Sequence, residues 1–214
     1  LSAVKRLAKA LNIDEDRLPP RELQRFINAQ KEEGLRARAV PAGDEPTRRQ
    51  VEFFAAYDEQ CQREGVVDFA ELLLRSFELL NSNEILRQHY SQRFRYILVD
   101  EFQDTNRLQY RWLKLFAGPA SRLFAVGDDD QSIYGFRGAH VGNLAEFEKE
   151  YAQGQVIRLE QNYRSQGGIL DAANALIANN AKRLGKNLWT AAGRGEPLRV
   201  FEGESDADEA RFIA

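Results

Sequence analysis

The sequence predicts an α/β fold in two stretches: helices alone as far as Arg93, then strands alternating with helices around a parallel sheet. Three observations carry this. Apolar residues up to Arg93 recur at helical spacing. Beyond it, short apolar runs at Tyr96–Val99, Leu123–Val126 and Val156–Leu159 alternate with helix-length amphipathic stretches, the pattern of parallel strands joined by crossover helices. Each of these runs also ends in polar residues, and in open α/β sheets ligands bind at the carboxyl ends of the strands.

Taken in order, Ser2–Leu11 places Val4, Leu7, Ala8 and Leu11 on one helical stripe before Pro19 and Pro20 interrupt. Arg21–Glu33 carries Leu23, Phe26 and Ile27 on a second stripe, with Gly34 as its stop. The turn-rich segment Pro41–Pro46 leads to a helix over Thr47–Arg63, whose stripe is Val51, Phe54, Tyr57 and Cys61. Asp68 stands three residues before Glu71, an acidic variant of the capping box, and opens a helix over Phe69–Leu80. In the alternating part, helices fit Asn106–Phe116, Asn143–Tyr151 and Ile169–Asn179, and Leu198–Phe201 begins a further strand. There is no internal repeat and no low-complexity tract.

Composition bounds the function classes. At 214 residues with 43% apolar, the chain has room for one large domain or parts of two. No apolar run approaches the roughly 18 residues of a membrane span, and no charged segment precedes a short apolar one, so a cytosolic (cytoplasmic) protein without membrane partners is expected. The single cysteine, Cys61, has no disulfide partner and reads as core packing, while His89 and His140 lack the clustered ligands of a zinc site. The net charge of −3 is not that of a general polyanion binder, although the first forty residues hold nine Lys/Arg against six Asp/Glu. A chain with no methionine that begins on Leu1 is expected to be an internal piece of a longer protein.

The chemistry-bearing residues lie in the three strand tails. Ile97–Asp104 runs from an apolar strand into Asp100 and Glu101, with Asp104 behind them. Nucleotide hydrolysis needs one carboxylate to hold a magnesium ion and another group to orient or deprotonate the attacking water, and adjacent acids can divide those tasks. The bland alternative makes Asp100 a helix cap and Glu101 a solvated side chain. The second tail, Gly127–Ala139, combines glycines and three acids with Gln131, Tyr134, Phe136 and Arg137. Aromatic rings beside an arginine on a polar loop suit stacking on exposed bases, but spacing alone equally allows Tyr134 and Phe136 to pack beneath the loop. In the third tail Tyr163 suits stacking on a nucleobase and Arg164 suits a phosphoryl group, against a bland reading of Arg164 as a salt-bridged turn residue.

Three long stretches in this order, DEFQDTN at Asp100–Asn106, VGDDDQSIYGFRGA at Val126–Ala139 and LEQNYRS at Leu159–Ser165, resemble successive motifs of the UvrD/Rep/PcrA family of superfamily-one DNA helicases. The flanking VVDFAELLLRSFELL and AANALIANNAKRLGKNLWT are similar to the family as well, so the resemblance covers nearly the whole chain. It implies part of a RecA-like P-loop NTPase fold and a 3′-to-5′ motor that uses ATP and Mg²⁺ on single-stranded DNA and at single-strand/duplex junctions. Repair or replication proteins are the implied partners. By the same resemblance, residues 1–93 match the helical 1B insertion, 94–160 the second half of domain 1A, and 161–214 the beginning of domain 2A. Asp100 and Glu101 would hold Mg²⁺, with Glu101 activating the water. Gln131 would sense the γ-phosphate, and Tyr134, Phe136 and Arg137 would lie along single-stranded DNA. Tyr163 would stack on adenine, and Arg164 would act as an arginine finger. The family commonly has tryptophan where this chain has Phe136, which keeps a π face but offers less area and no indole N–H.

No G-x-x-x-x-G-K-[ST] phosphate loop occurs: the nearest Gly-Lys, Gly185–Lys186, is followed by Asn187 and has Asn180 where the first glycine belongs. The isolated segment is therefore expected to be catalytically inert and prone to association or partial disorder. Two rival readings remain at this stage: a non-catalytic module that binds DNA or protein, and a RecB-like subunit of a helicase–nuclease.

Overall fold

Helix α1 (Ser2–Ala10) turns Val4, Leu7 and Ala8 inward, where they meet Leu23 and Ile27 of α2 (Pro20–Glu32) and Phe53, Phe54, Tyr57 and Cys61 of α3 (Glu45–Glu64). The stripes read from the sequence thus share one core, except that Leu11, just past the end of α1, is 47% exposed. Proline at the start of α2 costs no hydrogen bond there, and α3 is held at both ends, by the Asp44 side chain accepting from the Thr47 N–H and by Gly65 in the left-handed region at φ 66°. The computed structural model describes residues 1–180 and 183–214, with the backbone alone at Arg137. It divides into a unit from Leu1 to Gly154 and a second from Gln155 to Ala214.

Helix α4 (Phe69–Ser82) begins at Asp68, whose carboxylate accepts from the Glu71 N–H at 2.7 Å. Only that half of the expected box forms, because the Glu71 side chain is drawn into a buried cluster of charges. There Lys31 Nζ lies 2.8 Å from Glu71, 2.9 Å from Asp68 and 3.1 Å from Asp58, and Arg36 pairs with Glu71 and Glu78 at 2.8 and 2.7 Å. The cluster ties α2, α3 and α4 together. Helix α5 (Glu84–Arg93), capped by Asn83, follows directly.

Strand β1 (Tyr96–Val99) pairs in parallel with β2 (Arg122–Ala125), Tyr96 opposite Arg122 and Val99 opposite Ala125. The second strand begins and ends one residue earlier than the sequence predicts, although the Val126 N–H still reaches Val99 O at 2.8 Å. Ile97, Val99, Leu123 and Ala125 face a core of Phe102, Tyr110, Leu113 and Phe147, while Tyr96, Leu98 and Phe124 stay exposed on the other face. The crossover is α6 (Arg107–Phe116), started by a full capping box between Asn106 and Gln109, and it packs on α4 through Leu74, Phe77 and Leu108. Helix α7 (Gly142–Phe147) continues through a π-helical turn, Glu148–Ala152, and stops at Gln153 with φ 47°.

In the second unit α8 (Gly167–Ile177) and α9 (Asp206–Ile213) are helical. Two strand expectations fail here. Val156–Leu159 is exposed and joins no ladder, the nearest pairing being one bridge from Gln161 to Trp189. Leu198–Phe201 is likewise no strand, and Phe201 instead stacks on Phe212 of α9 with ring centroids 4.1 Å apart. A short apolar run becomes a strand only where a neighbouring strand can take its hydrogen bonds, and the described residues of this unit offer none. Among the described residues no helix is long and apolar enough to cross a membrane.

Candidate active site

Directly after β1 the chain makes a tight reversal that separates the acids from the apolar residues between them. Glu101 takes the left-handed conformation (φ 49°, ψ 43°), rare for a non-glycine residue and of order 1–3 kcal/mol in strain. The following residues hold it there. Phe102 is fully buried and its N–H donates to Val126 O at 2.9 Å, so the backbone must turn over at Glu101 to bring that ring into the core. Asp100 and Glu101 are left exposed at the strand's carboxyl end. Asp100 Oδ1 accepts from the Glu101 N–H at 3.0 Å, and α6 is capped by Asn106, so Asp100 is not the helix cap of the bland reading. Asp104 has a buried Oδ1 without a hydrogen-bond partner among the described residues.

Gln103, which the sequence reading passed over, joins this tail to the next. It is 1% exposed; its Nε2 donates to Glu101 Oε2 at 2.7 Å and its Oε1 accepts from the Asp128 N–H at 2.9 Å. The amide orientation follows from the partners, since a backbone N–H can only donate and an ionised carboxylate can only accept. Asp128 in turn accepts from the Asp130 N–H at 3.0 Å and from Gln131 Nε2 at 2.6 Å. Glu101 and Gln131 are thereby linked through Gln103 and Asp128 in one chain of hydrogen bonds. The only signal in the sequence was position: a neutral amide between acids in DEFQD.

The same loop carries the aromatic pair. The Tyr134 and Phe136 rings lie 5.9 Å apart at 49°, Tyr134 half-buried and Phe136 78% exposed, so the packing alternative does not hold for Phe136. The Arg137 side chain lies outside the described residues. Gly138 turns the loop at φ 78°, where a Cβ would stand 2.8 Å from Glu32 Oε2 at the end of α2. Burial first, and then the neighbouring Glu33 charge, push the Glu32 carboxyl above the usual carboxylate range. Beyond Gly138 the loop is stitched to the β1 tail: the His140 N–H donates to Thr105 O at 3.0 Å, and Asn143 Nδ2 reaches Thr105 O at 3.0 Å and Asn106 O at 3.2 Å. His140 Nε2 sits 3.2 Å from Arg107 Nη2 in a polar contact.

Tyr163 and Arg164 belong to the second unit. Asn162 Oδ1 accepts from the N–H groups of Arg164 at 2.9 Å and Ser165 at 2.7 Å, forming a side-chain-closed turn that leaves Tyr163 and Arg164 exposed. Tyr163 donates its hydroxyl to Gln161 Oε1 at 2.9 Å and keeps its ring 86% exposed, which leaves its faces open to stacking.

The donor set at the β1 tail suits a hard cation. Asp100 and Glu101 offer carboxylate oxygens, the ligands Mg²⁺ prefers, and each commits one oxygen to the local hydrogen bonds described above.

The comparisons with known proteins agree along the chain. The model for the UvrD/REP helicase N-terminal domain matches residues 1–152, and that for the UvrD-like helicase C-terminal domain matches residues 157–214. The chain is similar to DNA helicase II of Escherichia coli (strain K12), 53% identical over 215 residues that cover 100% of this chain and 30% of that protein. DNA helicase II of Haemophilus influenzae is 48% identical over 100% of this chain and 29% of its own length, and the ATP-dependent DNA helicase PcrA of Leuconostoc citreum is 40% identical over 98% and 28%. The chain thus spans about 30% of the length of the curated relatives it matches. With a family model over each of its two parts, the chain belongs to the UvrD/REP helicases.

Proposed function

We propose that this segment supplies the water-activating acids and the DNA-facing loop of an ATP-dependent 3′-to-5′ DNA helicase or translocase that works in repair or replication. The observation that carries the reading is the joint position of the two tails. Adjacent carboxylates end β1, the loop bearing Phe136 follows β2, and the strands are parallel neighbours, so both tails leave the same edge of the sheet. A nucleotide and a strand of DNA bound there act on one rigid element.

In this reading Glu101 accepts the proton of the water that attacks the γ-phosphorus of ATP, and Asp100, with Glu101, would hold the Mg²⁺. The ion's contribution when bound is to neutralise charge on the phosphate oxygens. Gln131 reads the γ-phosphate. Tyr163 stacks on the adenine, and Arg164 offsets charge developing on the transferred group. Phe136 and Tyr134 stack on successive bases, which is tolerant of sequence and fits a motor that must pass over any DNA. Residues 1–93 form the helical 1B part, 94–160 belong to domain 1A and 161–214 open domain 2A. Single-strand/duplex junctions are the substrate, and repair or replication proteins the partners.

The test is ATP hydrolysis by the full-length protein with and without single-stranded DNA, comparing Glu101 with Glu101→Gln. Loss of a positioned general base should lower the DNA-stimulated rate about 10²–10⁴-fold. No turnover in the natural protein, with DNA binding retained, would leave a non-catalytic binding module. An undiminished rate in Glu101→Gln would make that acid structural.

A further inference from the structure

We infer that Gln103 is a positioning residue that fixes the Glu101 carboxylate and the Asp128–Ser132 loop in one relation, so that the base and the DNA-facing loop cannot move independently. This deepens the reading of Glu101 as the base and rests on it. Glu101 cannot orient itself: its side chain is exposed, and its backbone sits in a conformation that its own residue type disfavours. The contact that fixes its carboxylate laterally is the 2.7 Å hydrogen bond from Gln103 Nε2. The same amide accepts from the Asp128 N–H, and the Gln103 carbonyl accepts from Ser132 Oγ at 3.3 Å, so both ends of the loop segment meet one residue.

The burial of Gln103 separates this role from ordinary packing. A buried amide kept only for structure is commonly satisfied by backbone groups on both sides. Here the acceptor side is satisfied by backbone and the donor side is spent on the exposed carboxylate of the proposed base. Gly127 makes room for that arrangement, since a Cβ there would stand 2.9 Å from Gln103 Oε1 and 3.3 Å from its backbone N. Any displacement of the loop at Asp128 pulls on Oε1 and is passed through a planar amide to Glu101. DNA held by the loop would in this way set the aim of the base, which requires no contact between DNA and nucleotide.

The two halves of the amide can be separated by substitution in the full-length protein. Gln103→Glu keeps an acceptor for the Asp128 N–H but puts a carboxylate beside Glu101 in place of the donor. Gln103→Met removes both contacts at similar volume. The expected result for Gln103→Glu is a kcat for DNA-stimulated ATP hydrolysis lowered about 10- to 100-fold, the scale of a mispositioned catalytic group, with KM for ATP and affinity for single-stranded DNA within about 3-fold. Gln103→Met should in addition bring the ratio of DNA-stimulated to basal rate toward one. In a Glu101→Gln background, single-turnover measurements should show Gln103→Met adding less than about 2-fold, because a residue acting through Glu101 has nothing left to position. A natural kcat in Gln103→Glu overturns the inference, as do additive losses in the double variant or a joint collapse of kcat, KM and DNA affinity in both single variants, which would mark Gln103 as structural. If the natural protein fails to hydrolyse ATP, the functional reading and this inference fall together. Turnover that is lost in Glu101→Gln but kept in Gln103→Glu removes the inference alone.

Discussion

Lys31→Met tests the buried charge cluster that joins the first helices. The Lys31 side chain is 1% exposed, and its ammonium is within 3.1 Å of Asp58, Asp68 and Glu71. Methionine replaces the stem's volume but not the charge, so the cost is mainly that of leaving carboxylates buried without their cation, about 3–5 kcal/mol. Arg36 still reaches Glu71 at 2.8 Å and Arg75 does so at 2.6 Å, which favours the lower end. Asp68 loses most, keeping the Tyr57 hydroxyl at 3.1 Å and the Glu71 N–H. The pH dependence supplies a second check. Burial alone would raise the Glu71 carboxyl, but hydrogen bonds from Lys31, Arg75 and Arg36 bring it down to about 2. A carboxyl depressed in the folded state stabilises above its unfolded value and loses that contribution as pH falls toward 2. Asp58 runs the other way: burial, helped by the Glu71 charge, raises it against the pull of Lys31, so it takes up a proton earlier in the fold. Both effects make the lysine matter less in acid. Urea unfolding followed by fluorescence, with Trp112 bonded to Ser76 at the α4–α6 contact as reporter, should show the full loss at neutral pH and a smaller one near pH 3. A difference below about 1 kcal/mol at neutral pH, or one that does not change with pH, would refute the reasoning.

Two further substitutions probe the loop. Phe136→Ala in the full-length protein should weaken binding of single-stranded DNA by about 1–3 kcal/mol, read by fluorescence anisotropy, since the ring is 78% exposed and stacking is the term removed; unchanged affinity would take the ring out of the DNA path. Asn143→Ala deletes the buried donor to Thr105 O and Asn106 O and should cost about 1–3 kcal/mol in thermal unfolding, with a change under about 0.5 kcal/mol showing that water replaces it.

The helices of the first core were legible because each carries an apolar stripe. Leu23 with Ile27, and Phe54 with Tyr57 and Cys61, are spaced for one face, and that face is the core. The β1 tail was legible for a related reason, apolar residues giving way to acids at a strand end. Gln103 was not, because its importance depends on a partner 25 residues away at Asp128, and a single amide among acids carries no periodicity. The cluster around Lys31 was hidden in the same way: nothing in the spacing of Asp58, Asp68 and Glu71 says that one lysine from another helix will be buried among them. Helix α9 lay outside the stripes read from the sequence; its signal was Ser205 three residues before Asp208, whose N–H the serine side chain accepts. Val156–Leu159 misled in the opposite direction, since a short apolar run shows what a segment can pair with and not whether a partner is present.

The sheet of β1 and β2 buries Ile97 and Leu123 on one side and presents Tyr96, Leu98 and Phe124 on the other, whereas parallel sheets are ordinarily covered on both faces. A layer finished on one side has a stability that depends on the chemical potential of whatever settles on the other. Any apolar surface that binds the folded form adds RT ln(1 + [L]/Kd), about 2.7 kcal/mol at a hundredfold excess over Kd. The melting midpoint of this part of the protein is then not a fixed constant but a point on a titration curve, which rises as that face is covered.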